Sequence, residues 1–440
     1  MTTTFPKILI FSQTFNTISG GGITLTNLFA SWPKDKIAVV SYPFMLNHIT
    51  TDICNTYYQL GFQELKWAFP FSLVKERQES GPIIQTKEDS ELYHVKRNTI
   101  RSRISSRLIN PFLNWLNITH IMSNLSISTR FNGWLLEYEP ELLYFQISNR
   151  ESINFASALV DHLEVPAVIH MMDDWPSTLC RNGVSKFLWA KKIDSEFRLL
   201  LSKLSLHLAI CDEMSSEYYK RYGYRFSSFH NTIDLKTWTP FTKNNLTLST
   251  GTKVVLFSGR VGPGIEQSLF DIAEAIDLLR LEGIDIILQI QSPRGNTNIL
   301  NKINRYSSVK INPPIDYDKL PELYSKADVL IIANDFHPDG IRFLKYSMPT
   351  KAPEYMISGT PILIYASAET ALYKFFHRNN CGHCVAKRNI TELANAFRLL
   401  LHDINYRKIL SRNAVTYAIE HFDSDKVRQD FQSLLCDTVR

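Results

Sequence analysis

The sequence predicts an α/β protein of two doubly wound, Rossmann-like domains facing a central cleft. Three observations lead there. Strand-like and helix-like apolar patterns alternate from the first residues, a polar stretch interrupts them near the middle of the 440-residue chain, and a second alternating series follows. At 44% hydrophobic and 21% charged residues, the chain is long enough for two domains, each with its own core.

The elements follow in order. "KILIFSQTF" (7–15) reads as a strand, "SGGG" (19–22) as a loop, "ITLTNLFASW" (23–32) as a helix and "KIAVVSYP" (36–43) as a second strand, which is a βαβ opening to a parallel sheet. "ELLYFQ", "PAVIHMM" and "LHLAIC" are three further strands, separated by helical stretches such as "SINFASALVDHL" and "SKFLWAKKIDSEFRLLLSKL". Residues 234–252, "DLKTWTPFTKNNLTLSTGT", are rich in Thr, Asn and Lys and read as a linker. Beyond it, "KVVLFSG", "SLFDIAEAIDLLRLEG", "IDIILQIQ", "LPELYSKA", "DVLIIAND", "PILIYA" and "NITELANAFRLLLHD" continue the βα series. The expected division is 1–238, 239–420 and a terminal amphipathic helix in 421–440 that serves packing. Ligands of such sheets bind outside the carboxyl ends of strands, which makes the cleft the expected site.

The stretch "PTKAPEYMISGTPILIY" (349–365) raises a chemical question. Pro353 is tolerated in a first helical turn and Gly359 supplies the stop, so Pro353–Ser358 reads as a short helix followed by a buried strand. Lys351 and Glu354 then share the helix N-terminus, where free N–H groups favour an anion. The lysine suits a phosphate, and the glutamate suits a sugar diol, because a carboxylate accepts from two hydroxyls. Phosphate beside diol means a nucleotide or nucleotide sugar. The alternative is a capping glutamate and a solvated lysine.

In the first domain, the glycines Gly20, Gly21 and Gly22 let backbone approach a ligand closely at a helix N-terminus. "VIHMMDDWPS" places His170 and Asp173 at the carboxyl end of a strand. His170 is either a group facing a substrate or a core histidine bonded to backbone. Asp174 is equally a cap or turn residue. Cys381 and Cys384 form a C-x-x-C, but no early strand and helix completes a redox site, and no second ligand pair completes a zinc site.

From Leu92 to Leu136 there is no Asp or Glu, yet Lys96, Arg97, Arg101, Arg103, Arg107 and Arg130 are present with aromatic residues between them. Such a segment either lies on an anionic bilayer or is a solvated insertion with one apolar side. The net charge of +5 does not demand nucleic acid, and no nucleic-acid partner is expected. Six cysteines without a recognisable signal peptide, and no apolar run of membrane-spanning length, give the expectation of a cytoplasmic protein with reduced thiols, peripheral at most on the cytosolic membrane face.

Taken together, "GRVGPG" after the first strand of the second domain, "YSKADVLI", "PTKAPEYMISGTPIL" and the glycine loop resemble the retaining GT-B glycosyltransferases of family 4, the group 1 transferases. The resemblance covers nearly the whole chain in element order and is most specific in residues 253–400. It implies metal-independent transfer, without cofactor, from a nucleoside diphosphate sugar to a glycan or lipid-linked acceptor. Glu354 falls on the ribose-binding second glutamate of the family's paired-glutamate motif, and Tyr346 stands where the sugar-contacting glutamate is expected. Arg260 falls on the pyrophosphate arginine, and Ile265 replaces the usual lysine. Lys351 supplies the missing cation, since "PTKAPE" is similar to a P-[ST]-K-x-x-E pattern found in a subset of members. His170 and Asp173 are implied at the reacting sugar, with the glycine loop lining the cleft. A nucleotide-sugar epimerase of the same architecture and a non-catalytic nucleotide-sugar or glycan binding protein are the competing readings.

Overall fold

A computed structural model describes residues 5–46, 49–69, 71–73, 77–83, 113, 115–180, 183–248, 251–292, 297–313 and 315–440. The chain divides into two compact units, Met1–Phe229 with Arg428–Arg440, and His230–Val427. Lys96, Arg97, Arg101, Arg103, Arg107 and Phe112 of the acid-free stretch lie outside the described residues; Trp115 and Arg130 lie within them.

The first unit holds strands β1 (Ile8–Phe11), β2 (Ile37–Ser41), β3 (Thr56–Gln59), β4 (Leu65–Trp67), β5 (Gly81–Ile83), β6 (Ser123–Leu125), β7 (Leu142–Phe145), β8 (Ala167–Met171), β9 (Leu206–Ala209) and β10 (Ser227–Ser228). Its main sheet runs β10-β9-β8-β7-β1-β2-β3-β5, parallel throughout except for the edge pair β3 and β5, while β4 and β6 form a separate antiparallel ribbon. Every residue of β1, β2, β7 and β8 is buried, as expected of a parallel sheet covered on both faces. From Arg428 on, the last helix packs here. The Phe431 ring lies 5.1 Å from Phe29 and 5.2 Å from Phe229, and Arg428 Nε donates to Asn27 O at 2.6 Å.

The second unit holds β11 (Lys253–Ser258), β12 (Ile286–Gln291), β13 (Val309–Asn312), β14 (Val329–Ala333), β15 (Ile362–Tyr365) and β16 (His383–Val385). The order β13-β12-β11-β14-β15-β16 is parallel throughout. It is the doubly wound order of a dinucleotide-binding sheet, with its reversal between β11 and β14. Chain ends leave those two strands in opposite directions, opening a crevice at their carboxyl ends. One core covers the sheet, from Val255 and Phe257 through Leu269, Ile272 and Ile276 to Phe397 and Leu400.

Residues 234–252 differ from the expected linker. Leu235–Trp238 is a helical turn, Trp238 is buried, Lys243 N donates to Ser358 O at 2.8 Å and its Nζ to Ala327 O at 2.5 Å. The polar composition concealed two apolar anchors, Trp238 and Leu246, that hold the segment on the second unit.

Candidate functional site

The site in the second unit is built at the reversal point. The short helix spans Ala352–Ile357, with Lys351 at its N-cap and Gly359 in the left-handed region (φ +72°) after it, close to the boundaries Pro353 and Gly359 suggested. Lys351 Nζ donates to the carbonyl of Ser258, the last residue of β11, at 2.5 Å, and sits 4.2 Å from the centre of the Phe257 ring. The next residue, Gly259, has φ +143°, and a methyl group there would lie 2.9 Å from Lys351 Nζ. The backbone conformation favours glycine, and a side chain there would push the lysine tip from its seat.

Three tyrosines hold this bed in place. Ser258 N donates to Tyr355 Oη at 2.8 Å, Tyr324 Oη donates to Ser258 Oγ at 2.9 Å, and the Tyr324 and Tyr355 rings meet edge to face at 4.9 Å. Tyr317 Oη donates to Glu354 Oε1 at 2.8 Å. Glu354 is 5% exposed. Burial pushes its carboxyl up to about 7, against the pull of the Tyr317 hydrogen bond and the Lys351 charge. Burial also pushes the Lys351 ammonium down to about 7, against the Glu354 charge. Near neutrality the pair is therefore poised between an ion pair and a neutral pair. An arriving anion would draw a proton onto Lys351, because only the ammonium attracts it.

The loop after β11 is stapled to the end of β14. Asp335 N donates to Gly264 O at 2.7 Å, Ser268 N donates to Asp335 Oδ1 at 2.8 Å, and Ser268 Oγ donates to Asn334 O at 2.9 Å. Arg260 lies on this loop with its side chain exposed. Ile265, which stands where a lysine would be expected, packs against the core. Tyr346 is buried, with Lys345 Nζ 5.7 Å from its ring centre, so no acid occupies that place.

The remaining candidates are in the first unit. The glycines do not form a loop: the helix Gly20–Phe29 begins on them, capped by Ser19, whose Oγ accepts from Gly22 N at 3.1 Å. Asn16 Oδ1 organises the approach by accepting from Ser19 N at 2.8 Å, and a methyl group on Gly22 would collide with the Asn16 side chain at 2.2 Å. Capping by Ser19 and Asn16 outweighs the low helix propensity of the glycines. Gly21 faces the side chains of Gln13 and Gln146, which follow β1 and β7, the strands flanking this sheet's own reversal.

His170 is buried at the end of β8, with Nδ1 2.6 Å from Tyr144 Oη. Asp173 is exposed in the loop that follows. Asp174 is committed elsewhere, accepting from Arg221 Nη1 and Nη2 at 2.8 and 3.0 Å and from Tyr218 Oη at 3.0 Å. Cys381 and Cys384 are free thiols that burial pushes up, Cys384 to about 12, and Cys384 belongs to β16. Such thiols are unreactive at neutral pH. Among the described residues no three His, Cys, Asp or Glu side chains gather as a metal site requires.

Tyr317, Tyr324, Tyr355 and Ser258 were not among the sequence candidates. Nothing in their spacing marks them, since strand order alone brings them together.

No family model and no curated protein matches the sequence. Solved structures do match over nearly the full chain. HepE from Anabaena, crystallised with UDP and glucose, is 13% identical with a TM-score of 0.61, covering 98% of this chain and 99% of that one. Sucrose-phosphate synthase from Thermosynechococcus elongatus is 13% identical with a TM-score of 0.61, covering 97% of each. WaaG, a glycosyltransferase involved in lipopolysaccharide biosynthesis, is 13% identical with a TM-score of 0.54, covering 97% and 99%. These structural neighbours are GT-B glycosyltransferases, and the likeness gives the chain a GT-B fold of two Rossmann-like units.

Proposed function

We propose that this chain transfers a sugar, with retention and without a metal ion, from a nucleoside diphosphate sugar to a lipid-linked or polysaccharide acceptor. The observation that carries the reading is the Lys351 ammonium, held on the Ser258 carbonyl at the reversal of a doubly wound sheet beside the buried carboxyl of Glu354. Lys351 and Arg260 would meet the charge that grows on the diphosphate as it departs, and Glu354 would accept from the ribose hydroxyls. His170 and Asp173 would face the sugar, and the Gly20–Gly22 turn would present backbone to the ligand. Fold neighbours crystallised with UDP and glucose support a nucleotide-sugar donor.

The site also contains features that favour a binding protein without turnover. Tyr346 is buried and Ile265 partly buried, and neither is charged where the family pattern has charge. Incubating the purified chain with a panel of nucleotide sugars separates the readings. Nucleotide release that grows with added acceptor supports transfer, a changed sugar without acceptor supports epimerisation, and binding without either leaves the non-catalytic reading.

Two further results are expected. Glu354→Gln retains size and removes charge, so nucleoside diphosphate affinity measured by calorimetry should fall about tenfold or more, the worth of a hydrogen bond to a charged group. The melting temperature should change little, since glutamine keeps an acceptor for Tyr317 and removes a buried charge. Equal affinity in both forms would leave Glu354 a structural residue. Treatment with EDTA should leave turnover intact, because the protein's own cations supply the electrostatic stabilisation. Loss restored by magnesium or manganese would overturn the metal-free mechanism.

A further inference from the structure

Away from the candidate site, the first unit exposes a connected apolar surface. Val184, Phe187 and Leu188, at the start of the helix Lys186–Lys203, are 69%, 79% and 76% exposed. They adjoin exposed Trp115, because Val184 N donates to Trp115 O at 3.0 Å and Ser185 Oγ to Leu116 O at 3.5 Å. The chain then passes His120, whose ring lies 5.4 Å from Trp189 on the same helix, to exposed Ile121. Single exposed apolar residues are ordinary, whereas a group drawn together from separate segments marks an interaction surface.

Its charge says what it meets. The helix has no acidic residue in its first turn, its N-cap Ser185 makes no side-chain capping bond, and Lys186, Lys191 and Lys192 fall in its first two turns. Lys191 and Lys192 are exposed. The nearest acid along the helix, Asp194, is engaged by Arg198 at 2.7 Å. A helix end designed for water would carry a cap and carboxylates, because its free N–H groups and dipole disfavour cations. Both departures are resolved by a layer of anions that meets the N–H groups and lysines while the aromatic and aliphatic tips enter an apolar phase.

We propose that the surface formed by Trp115, Val184, Phe187 and Leu188, with Lys186, Lys191 and Lys192, docks on an anionic lipid bilayer. It docks peripherally, since among the described residues no helix is long and apolar enough to cross a membrane. The proposal deepens the reading of a lipid-linked acceptor by naming the protein surface that reaches it.

The test is co-sedimentation of the full chain with phosphatidylcholine vesicles, with and without phosphatidylglycerol, at low and high salt. Wild type should bind the anionic vesicles and weaken with salt as the lysines are screened. Replacing Lys186, Lys191 and Lys192 with glutamine should reduce partitioning by up to about a hundredfold, at roughly fivefold per lysine. Phe187→Ser with Leu188→Ser should reduce it at least about tenfold at every salt concentration, through lost insertion. Thermal melts show that the variants remain folded. No sedimentation of wild type with anionic vesicles, or equal partitioning of folded variants, overturns the assignment. Nucleotide release measured without vesicles should be unchanged in both variants, so failure of the docking surface and failure of the transfer reading are read separately.

Discussion

Replacing Lys351 with alanine should lower turnover about 100- to 1,000-fold, equivalent to the roughly 3 to 4 kcal/mol typical of losing one electrostatic donor at a departing oxyanion. Stability should change far less. In the free protein the ammonium is desolvated against Phe257 and Tyr355, and it is close to losing its proton. Removing it relieves a buried cation while costing one hydrogen bond to Ser258. The pH dependence sharpens the test. Lys351 is charged below about 7 and neutral above, and Glu354 is neutral below about 7 and charged above. As pH rises through this range Lys351 loses the charge that attracts the diphosphate while Glu354 gains the charge that accepts from the ribose, so affinity for a nucleoside diphosphate should peak near the crossover and fall on either side. Lys351→Arg keeps its charge throughout and should flatten the side of the profile that belongs to Lys351. A turnover in Lys351→Ala equal to wild type would remove the residue from the site.

Lys351 and Glu354 were legible because local backbone chemistry marks the helix they open. Pro353 and Gly359 fix its ends, and the apolar run after them fixes the following strand. What holds Lys351 was not legible. Ser258, Tyr324 and Tyr355 come from β11, from the helix Leu320–Lys326 and from the short helix itself, and they meet only because β14 inserts beside β11. That adjacency is set by long-range packing. Two segments were misread for reasons of their own. "SGGG" looks like a loop by propensity, yet the caps supplied by Asn16 and Ser19 start the helix on Gly20. Residues 234–252 look like a linker by composition, yet one tryptophan and one leucine dock the segment. What orients His170 was not legible either: its Nδ1 meets the Tyr144 hydroxyl from the neighbouring strand, a partner 26 positions away.

Arg407→Ala should be the most damaging single change to the stability of the second unit, and nothing in the sequence singles it out. In "INYRKILSRN" it reads as one more cation on a solvated helix face. It is instead 1% exposed. Its Nε donates to Leu246 O at 3.1 Å, and its Nη1 donates to Asp328 O at 3.2 Å and to Leu400 O at 2.7 Å. One guanidinium thus joins the segment after Trp238, the residue that precedes β14, and the helix Ile390–His402. Burial lowers its affinity for the proton, against the Asp328 charge, yet a guanidinium keeps its charge at any ordinary pH. Alanine leaves three carbonyls without their donor and a void the size of the side chain, for an expected loss of about 3 to 5 kcal/mol. In a unit of this size that lowers the melting temperature by roughly 10 °C. Arg407→Met refills most of the void and none of the hydrogen bonds, so its loss should fall between alanine and wild type and divide packing from polar satisfaction. Denaturant unfolding of the three proteins measures both parts. A loss below about 1 kcal/mol in the alanine variant would mean that water reaches the three carbonyls. β14 would then owe its place beside β11, and Lys351 its seat on Ser258, to the apolar core alone.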